Sequence, residues 1–194
     1  DATGDEGGEP GEPDVDDAIR FLREYNIRGS VPVGQQVVVV GGGNAAIDTA
    51  RTAIRLGAES VTVLYRRTRE EMPAYAEEIE EAEHEGVKIR VLTAPLEILT
   101  WDGLVTGVSC QAMVLGEFDR SGRRRPKAGP DAPFVVPADQ VITAIGQRLE
   151  PSTVLGGLKV DLNRDGFIAA DPYTAAGVGA DHVVRPWTVA IGGN

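Results

Sequence analysis

The chain has 194 residues, 42% of them hydrophobic, and a net charge of −11, which is enough apolar material for one well-buried domain or two small ones. No run approaches the ~18–20 apolar residues of a membrane span, no secretory signal opens the chain, and a single cysteine, Cys110, excludes an internal disulfide, a CxxC redox pair and a cysteine zinc site. Residues 1–17 carry eight acids and no base, and the rest hold 19 bases against 22 acids. That balance argues against nucleic acid or an anionic membrane as a partner, and the expected compartment is the cytoplasm.

"DATGDEGGEPGEPDV" is rich in Gly, Pro and acid, so residues 1–14 read as an acidic, flexible lead-in. "DVDDAIRFLREYN" places Ala18, Phe21, Leu22 and Tyr25 at helical spacing, with Asp14 or Asp16 as N-cap candidates. Gln36–Val40 is an unbroken β-branched run, as in a parallel strand covered on both faces. A helix over Asn44–Leu56 then buries Ile47, Ala50 and Ile54, with Gly57 as its C′ residue. Ser60–Tyr65 is a second strand. "TREEMPAYAEEIEEAEHEG" predicts a second helix, with Pro73 in its first turn, Met72, Ala76 and Ile79 on one face, and Gly86 as its stop. Strand Lys88–Leu92 completes βαβαβ, and right-handed crossovers put the three strands in one parallel sheet.

The pattern then changes. "LTWDGLVTG" signals a hairpin about Asp102-Gly103. Leu96–Trp101, Leu104–Leu115 and Phe134–Val136 are expected to form an antiparallel β-meander on a Rossmann-like parallel sheet, an α/β class. "RSGRRRPKAGPDAP" reads as a polar loop, and "VITAIGQ" as a buried strand ending at Gly146. Later short strands are expected in "DGFIAADPYT" and "WTVAIGGN".

Gly41, Gly43 and Ala46 match G-x-G-x-x-G/A between a strand and a helix. The first glycine turns the chain, the second admits a pyrophosphate to the backbone, and the third small residue lets helix pack on strand. Asn44 and Ala45 open the helix, whose free N–H groups and positive dipole end suit phosphate. Sites that take NAD place an acid about 20 residues further on, for the ribose hydroxyl. Here Arg66 lies twenty residues past Ala46, with Arg67 beside it. Two guanidinium forks suit the 2′-phosphate of NADP, a preference on the order of 10²-fold if each contributes about 1.5–3 kcal/mol. Ile145, Gly146 and Gln147 end a strand at the carboxyl edge of the sheet, where the middle of a dinucleotide would lie.

"VVVVGGGNAAIDTARTAIRLGAESVTVLYRRTREEMPA", "HEGVKIRVL" and "VITAIGQ" together resemble the NADPH-binding domain of the small (beta) subunit of glutamate synthase and its flavoprotein relatives. These include subunits of dihydropyrimidine dehydrogenase and of NADH-dependent ferredoxin:NADP oxidoreductases, within the pyridine nucleotide-disulfide oxidoreductase superfamily. The resemblance covers roughly residues 15–172. It implies that NADPH delivers hydride to FAD, whose electrons pass on to iron–sulfur clusters. In that family the NADPH domain is inserted in an FAD domain with its own GxGxxG, an "ATG" at the crossing and a closing "GD". Here Ala2-Thr3-Gly4 and Gly192-Gly193-Asn194 resemble stubs of that host, and residues 173–194 are read as its C-terminal stub. FAD is therefore expected only from a partner or a missing segment, with a flavoprotein or iron–sulfur chain as partner.

A different reading is a non-catalytic nucleotide-binding or interaction subunit in an electron-transfer complex. A third, a free-standing dehydrogenase, would need an acid/base residue that the chain does not offer. Cys110 reads as a small buried hydrophobe, Asp48 as a helix-face acid, His84 as a helix-end residue and His182 as a loop residue. Arg123–Lys127 reads as a solvated loop or, alternatively, as a dock for an acidic electron-transfer partner. Trp101 and Trp187 are expected to pack.

Overall fold

A computed structural model describes residues 15–118 and 123–146. The chain divides into two compact units, Asp1–Ile145 and Gly146–Asn194. Everything below concerns the first, apart from the backbone of Gly146.

Five parallel strands make the first sheet, in the order β1 (Val15–Asp17), β9 (Gln140–Thr143), β2 (Gln36–Val40), β3 (Ser60–Leu64), β4 (Lys88–Arg90). Helix α2 (Asn44–Arg55) carries the chain from β2 to β3, and α3 (Ala76–His84) from β3 to β4. The chain steps outward from β2 on one side only, and β9 returns to β2's other edge, pairing Val40 with Thr143. The order therefore reverses between β2 and β9, and open α/β sheets take their ligands at such a switch point.

Side chains of a strand alternate between faces, and the valine run of β2 shows it. Val37 and Val39 meet α1 (Ala18–Arg28), α2 and α3 in a core with Phe21, Ile47, Ala50, Ala53, Val61, Val63, Ile79 and Ile142. Val38 faces the other way, with Leu64 and Val141, against Val105, Val108, Cys110 and Val136. That second layer is the expected antiparallel sheet: β5 (Thr93–Trp101), β6 (Leu104–Phe118), β7 (Arg124–Ala128) and β8 (Phe134–Pro137). Asp102 and Gly103 turn β5 into β6 with φ of 52° and 78°, the two-residue geometry that matches strand twist. The Rossmann-like α/β class with its antiparallel addition stands.

Several local expectations need correction. The helix cap is Asp17, whose carboxylate accepts from the Ile19 and Arg20 amides at 2.9 and 3.3 Å, and not Asp16; Asp14 lies outside the described residues. Asp16 instead lies in β1, an edge strand held by β9. The predicted second helix breaks in two. Met72, preceding Pro73, is extended (φ −65°, ψ 130°), as the proline ring requires. A three-residue 3-10 turn, Arg69–Glu71, precedes it, and α3 starts only at Ala76. Ala76 is consequently exposed, and Ile79 and Ala82 carry the helix's contact with the core. "RRRPK" is no loop: Arg124–Ala128 pairs with the far end of β6. Trp101 does not pack, being 79% exposed at the hairpin tip. Cys110 is fully buried, as expected, and burial raises its thiol pKa. Gln147, His182, Trp187 and the short strands expected after residue 147 lie outside the described residues, as do residues 1–14.

Candidate dinucleotide site

The carboxyl ends of β2, β3 and β9 converge at the switch point. Gly41 leaves β2 with φ 150°, and its N–H donates to the Leu64 carbonyl at 3.0 Å. A Cβ there would lie 2.5 Å from the Ala144 carbonyl oxygen, so only glycine fits between β2 and the end of β9. At Gly42 a Cβ would meet the Tyr65 ring at 2.5 Å. Gly43 is different. Its backbone is extended (φ −92°, ψ 176°), and a Cβ would meet nothing within 4 Å. It is the N-cap of α2 and offers no side chain to accept from the first turn. Helix geometry leaves the N–H groups of that turn without intrahelical partners, so an anion above Gly43 would find donors, space and the positive end of α2 together. Asn44 and Ala45 form that first turn, and Ala46 is fully buried against the sheet. Ile145 stands 78% exposed just past β9, and Gly146 has φ 91°.

The two arginines at the end of β3 part company. Arg66 is exposed, while Arg67 is only 9% exposed and pairs with Glu71, Nη1 to Oε1 at 3.7 Å. The split falls in the bend just past β3, where the Arg67 side chain turns in toward Glu71 and that of Arg66 stays out. The Arg67 backbone is also tied down, its carbonyl accepting from the Leu92 amide at 2.8 Å.

Sequence reasoning had no role for the segment after them, which the structure ties to the glycine turn. The Ala74 amide donates to the Gly42 carbonyl at 3.0 Å. Asn44 Oδ1 accepts from the Tyr75 amide at 3.1 Å, so this residue's side chain braces the loop rather than facing the turn's open side. The Tyr65 hydroxyl donates to the Glu71 carbonyl at 2.7 Å. Thr68 and Glu71 form a capping box around the 3-10 turn. Arg69 is engaged elsewhere, in a fork with Glu83 at 2.7 Å on both nitrogens that holds the Glu83 carboxyl below its usual pKa. The signal for all this was the proline in "REEMPAY", which forbids a continuous helix and forces a loop.

Behind α2, away from the glycine turn, Leu22, Tyr25, Asn26, Asp48, Arg51, Thr52 and Arg55 line an open polar hollow of about 260 Å³. Arg51 there donates to Glu78 and, at 2.8 Å, to Glu85, whose pKa is lowered chiefly by that bond. Asp48 is exposed on the helix face as expected; its pKa is raised by partial burial and by Glu78, against the pull of Arg51. Among the described residues no group of His, Cys, Asp and Glu is arranged to hold a metal ion, and no helix is long and apolar enough to cross a membrane.

A glycine turn at the switch point of a parallel sheet, opening onto a helix N-terminus, defines the dinucleotide-binding class of α/β domains. More particularly, the chain belongs to the pyridine nucleotide-disulphide oxidoreductase family, whose pattern matches residues 2–182. It is 44% identical over 159 residues to the NADP(+)-dependent formate dehydrogenase subunit beta of Moorella thermoacetica, covering 81% of this chain and 22% of that protein. It is 48% identical over 147 residues to the NADPH-Fe(3+) oxidoreductase subunit beta of Geobacter sulfurreducens, covering 75% and 22%. Against the glutamate synthase [NADPH] small chain of Escherichia coli the identity is 41% over 138 residues, covering 71% and 29%, so the resemblance to that subunit holds. The chain spans less than a third of the length of each of these relatives. Among solved structures, the Mycobacterium tuberculosis oxidoreductase FprA superposes with a TM-score of 0.64 at 20% identity, over 88% of this chain and 52% of FprA. Thioredoxin reductase of T. acidophilum does so at 0.60 and 17%, over 92% and 51%. These two establish the fold.

Proposed function

We propose that this chain is the NADPH-binding domain of a flavin-dependent oxidoreductase, presenting the nicotinamide for hydride transfer to an FAD held by another segment or a partner chain. The observation that carries this reading is the placement of the exposed Arg66 at the carboxyl end of β3, beside the glycine turn. In this reading the backbone from Gly41 to Ala46 holds the pyrophosphate and the first turn of α2 offers its N–H groups. Arg66 meets the 2′-phosphate, and Arg67 reinforces it from beneath through its pair with Glu71. Ile145, exposed just past β9, covers the middle of the dinucleotide. The related beta subunits and small chains named above are NADP- or NADPH-linked by name, which supports the same preference.

The cradle has room for a pyrophosphate, since nothing stands within 4 Å of where a Cβ on Gly43 would lie. NADPH supplies the hydride when bound; this chain's residues bind it, orient it and set its phosphate preference. The glycine fingerprint is then taken up by NADPH, and no residue here is assigned to flavin. Hydride transfer between two rings needs chiefly their positioning, so the want of an acid/base side chain accords with the reading.

The test is calorimetric titration of the protein with NADPH and NADH, repeated on the Arg66→Ala/Arg67→Ala double variant, with a visible spectrum to check for flavin. Tighter binding of NADPH, lost in the variant, supports the proposal. Binding of neither nucleotide overturns it and leaves an interaction subunit as the better account.

A further inference from the structure

We propose that Arg123 is a positioning residue for the 2′-phosphate subsite, acting through the Glu71 carbonyl on the turn that follows Arg66 and Arg67; this rests on the NADPH reading above. Beyond Ala112, β6 pairs with β7 as a two-stranded ribbon carrying the basic run Arg123–Lys127. Arg124, Arg125 and Lys127 of that run are exposed on its surface, with Arg124 lying over the Phe118 ring at 5.8 Å. Arg123 is exposed like them but makes a contact that they do not. Its Nη2 donates to the Glu71 carbonyl at 2.9 Å, across 52 positions of sequence.

Glu71 is where the arginine loop is gathered. Its carbonyl accepts from both Tyr65 and Arg123, and its carboxylate caps Thr68 and pairs with Arg67. The 3-10 turn it closes is only three residues long, so few bonds of its own hold it. A guanidinium on a carbonyl is among the stronger single hydrogen bonds available. The pyrophosphate end has anchors of its own outside that loop, with Gly41 N–H on Leu64 and Ala144 N–H on Val40. Loosening Glu71 therefore disturbs the arginines and leaves the glycine turn seated. A residue acting there changes affinity only for ligands that carry the 2′-phosphate, whereas a general structural prop would change both nucleotides alike.

The experiment is calorimetry with NADPH and NADH on the wild type, Arg123→Ala, Arg123→Lys and Arg124→Ala. We expect Arg123→Ala to weaken NADPH about tenfold, the scale of a hydrogen bond from a charged group, with NADH held within about twofold. Arg123→Lys should recover most of the loss, and Arg124→Ala, which removes an equal charge without touching Glu71, should leave NADPH unchanged. Unchanged NADPH affinity in Arg123→Ala, equal losses for both nucleotides, or an equal effect of Arg124→Ala each overturns the inference. A wild type with no preference for NADPH overturns it together with the cofactor reading, and is told apart by needing no variant.

Discussion

Gly41 and Ala144 come so close that a methyl group on the first would sit 2.5 Å from the carbonyl oxygen of the second. The switch point is thus a packed joint on one side and an open cradle, at Gly43, on the other. The two glycines should fail in opposite ways. Gly41→Ala adds a clash with backbone to an unfavourable φ of 150° and should cost about 2–3 kcal/mol, read as a fall in urea midpoint. Gly43→Ala has room and an ordinary φ, so its cost should stay near the ~1 kcal/mol of a poorer N-cap, while NADPH binding falls more than tenfold. A Gly43→Ala protein that still binds NADPH at full strength would contradict the cradle.

Arg66 and Arg67 should likewise separate. Arg66→Ala is expected to weaken NADPH by roughly 10- to 100-fold, equivalent to about 1.5–3 kcal/mol for a charged hydrogen bond, and NADH far less. Arg67→Ala removes a buried cation from Glu71 and should lower the melting temperature as well as affinity. Equal selectivity losses with no change in melting would show that the inward placement of Arg67 has no structural consequence. Titration calorimetry paired with a thermal melt reads both quantities.

Acid should loosen the junction of α2 and α3. The Glu85 carboxyl is held below its usual pKa by Arg51. A lowered folded-state pKa stabilises above the unfolded value, near 4.5, and that contribution is lost as pH falls through the folded pKa. Glu83 with Arg69 adds the same sign, while the raised Asp48 works against them at neutral pH. Glu85→Gln should therefore lower stability at pH 7 by about 1–2 kcal/mol and flatten the decline between pH 5 and 3, measured by denaturant melts across that range.

Cys110 offers a probe of global opening. Its thiol is buried in the second core and its pKa is raised by that burial, and the thiolate is the reactive form. Labelling by a maleimide should be slow in native buffer and should accelerate in step with unfolding as urea is added. Rapid labelling without urea would mean that the antiparallel layer parts from the parallel sheet on its own.

Much of this architecture was legible because hydrophobic period and punctuation agreed. The β-branched runs at Gln36–Val40 and Ser60–Leu64, the glycine turn between them and the Asp102-Gly103 hairpin all appear where expected. What escaped had no periodic signal. β1 is three residues of Val and Asp whose strand character comes wholly from lying beside β9. β7, Arg124–Ala128, holds three cations and a proline; an edge strand tolerates both, but neither announces one. At the site, the glycine fingerprint and the arginine pair could be read in one dimension. The inward turn of Arg67 and the grip of Tyr65, Asn44 and Arg123 on the loop could not: the first two depend on the path of a non-periodic turn, and the others on contacts 31 and 52 positions apart.

The place of β9 carries a last consequence, for the order in which the chain can be assembled. β9 comes last among the described strands and yet lies between β1 and β2, so the sheet's middle is laid down at its end. A nascent chain that has emerged only to residue 139 has β1 with no neighbour and β2 with one bare edge. Ala144, against which Gly41 is shaped, is missing too. The cradle is then a product of the final closure step, and contacts of such long sequence separation make that step slow. Pulse-labelled hydrogen exchange during refolding should find the Val38 and Val141 amides protected together, after those of the β5–β6 hairpin.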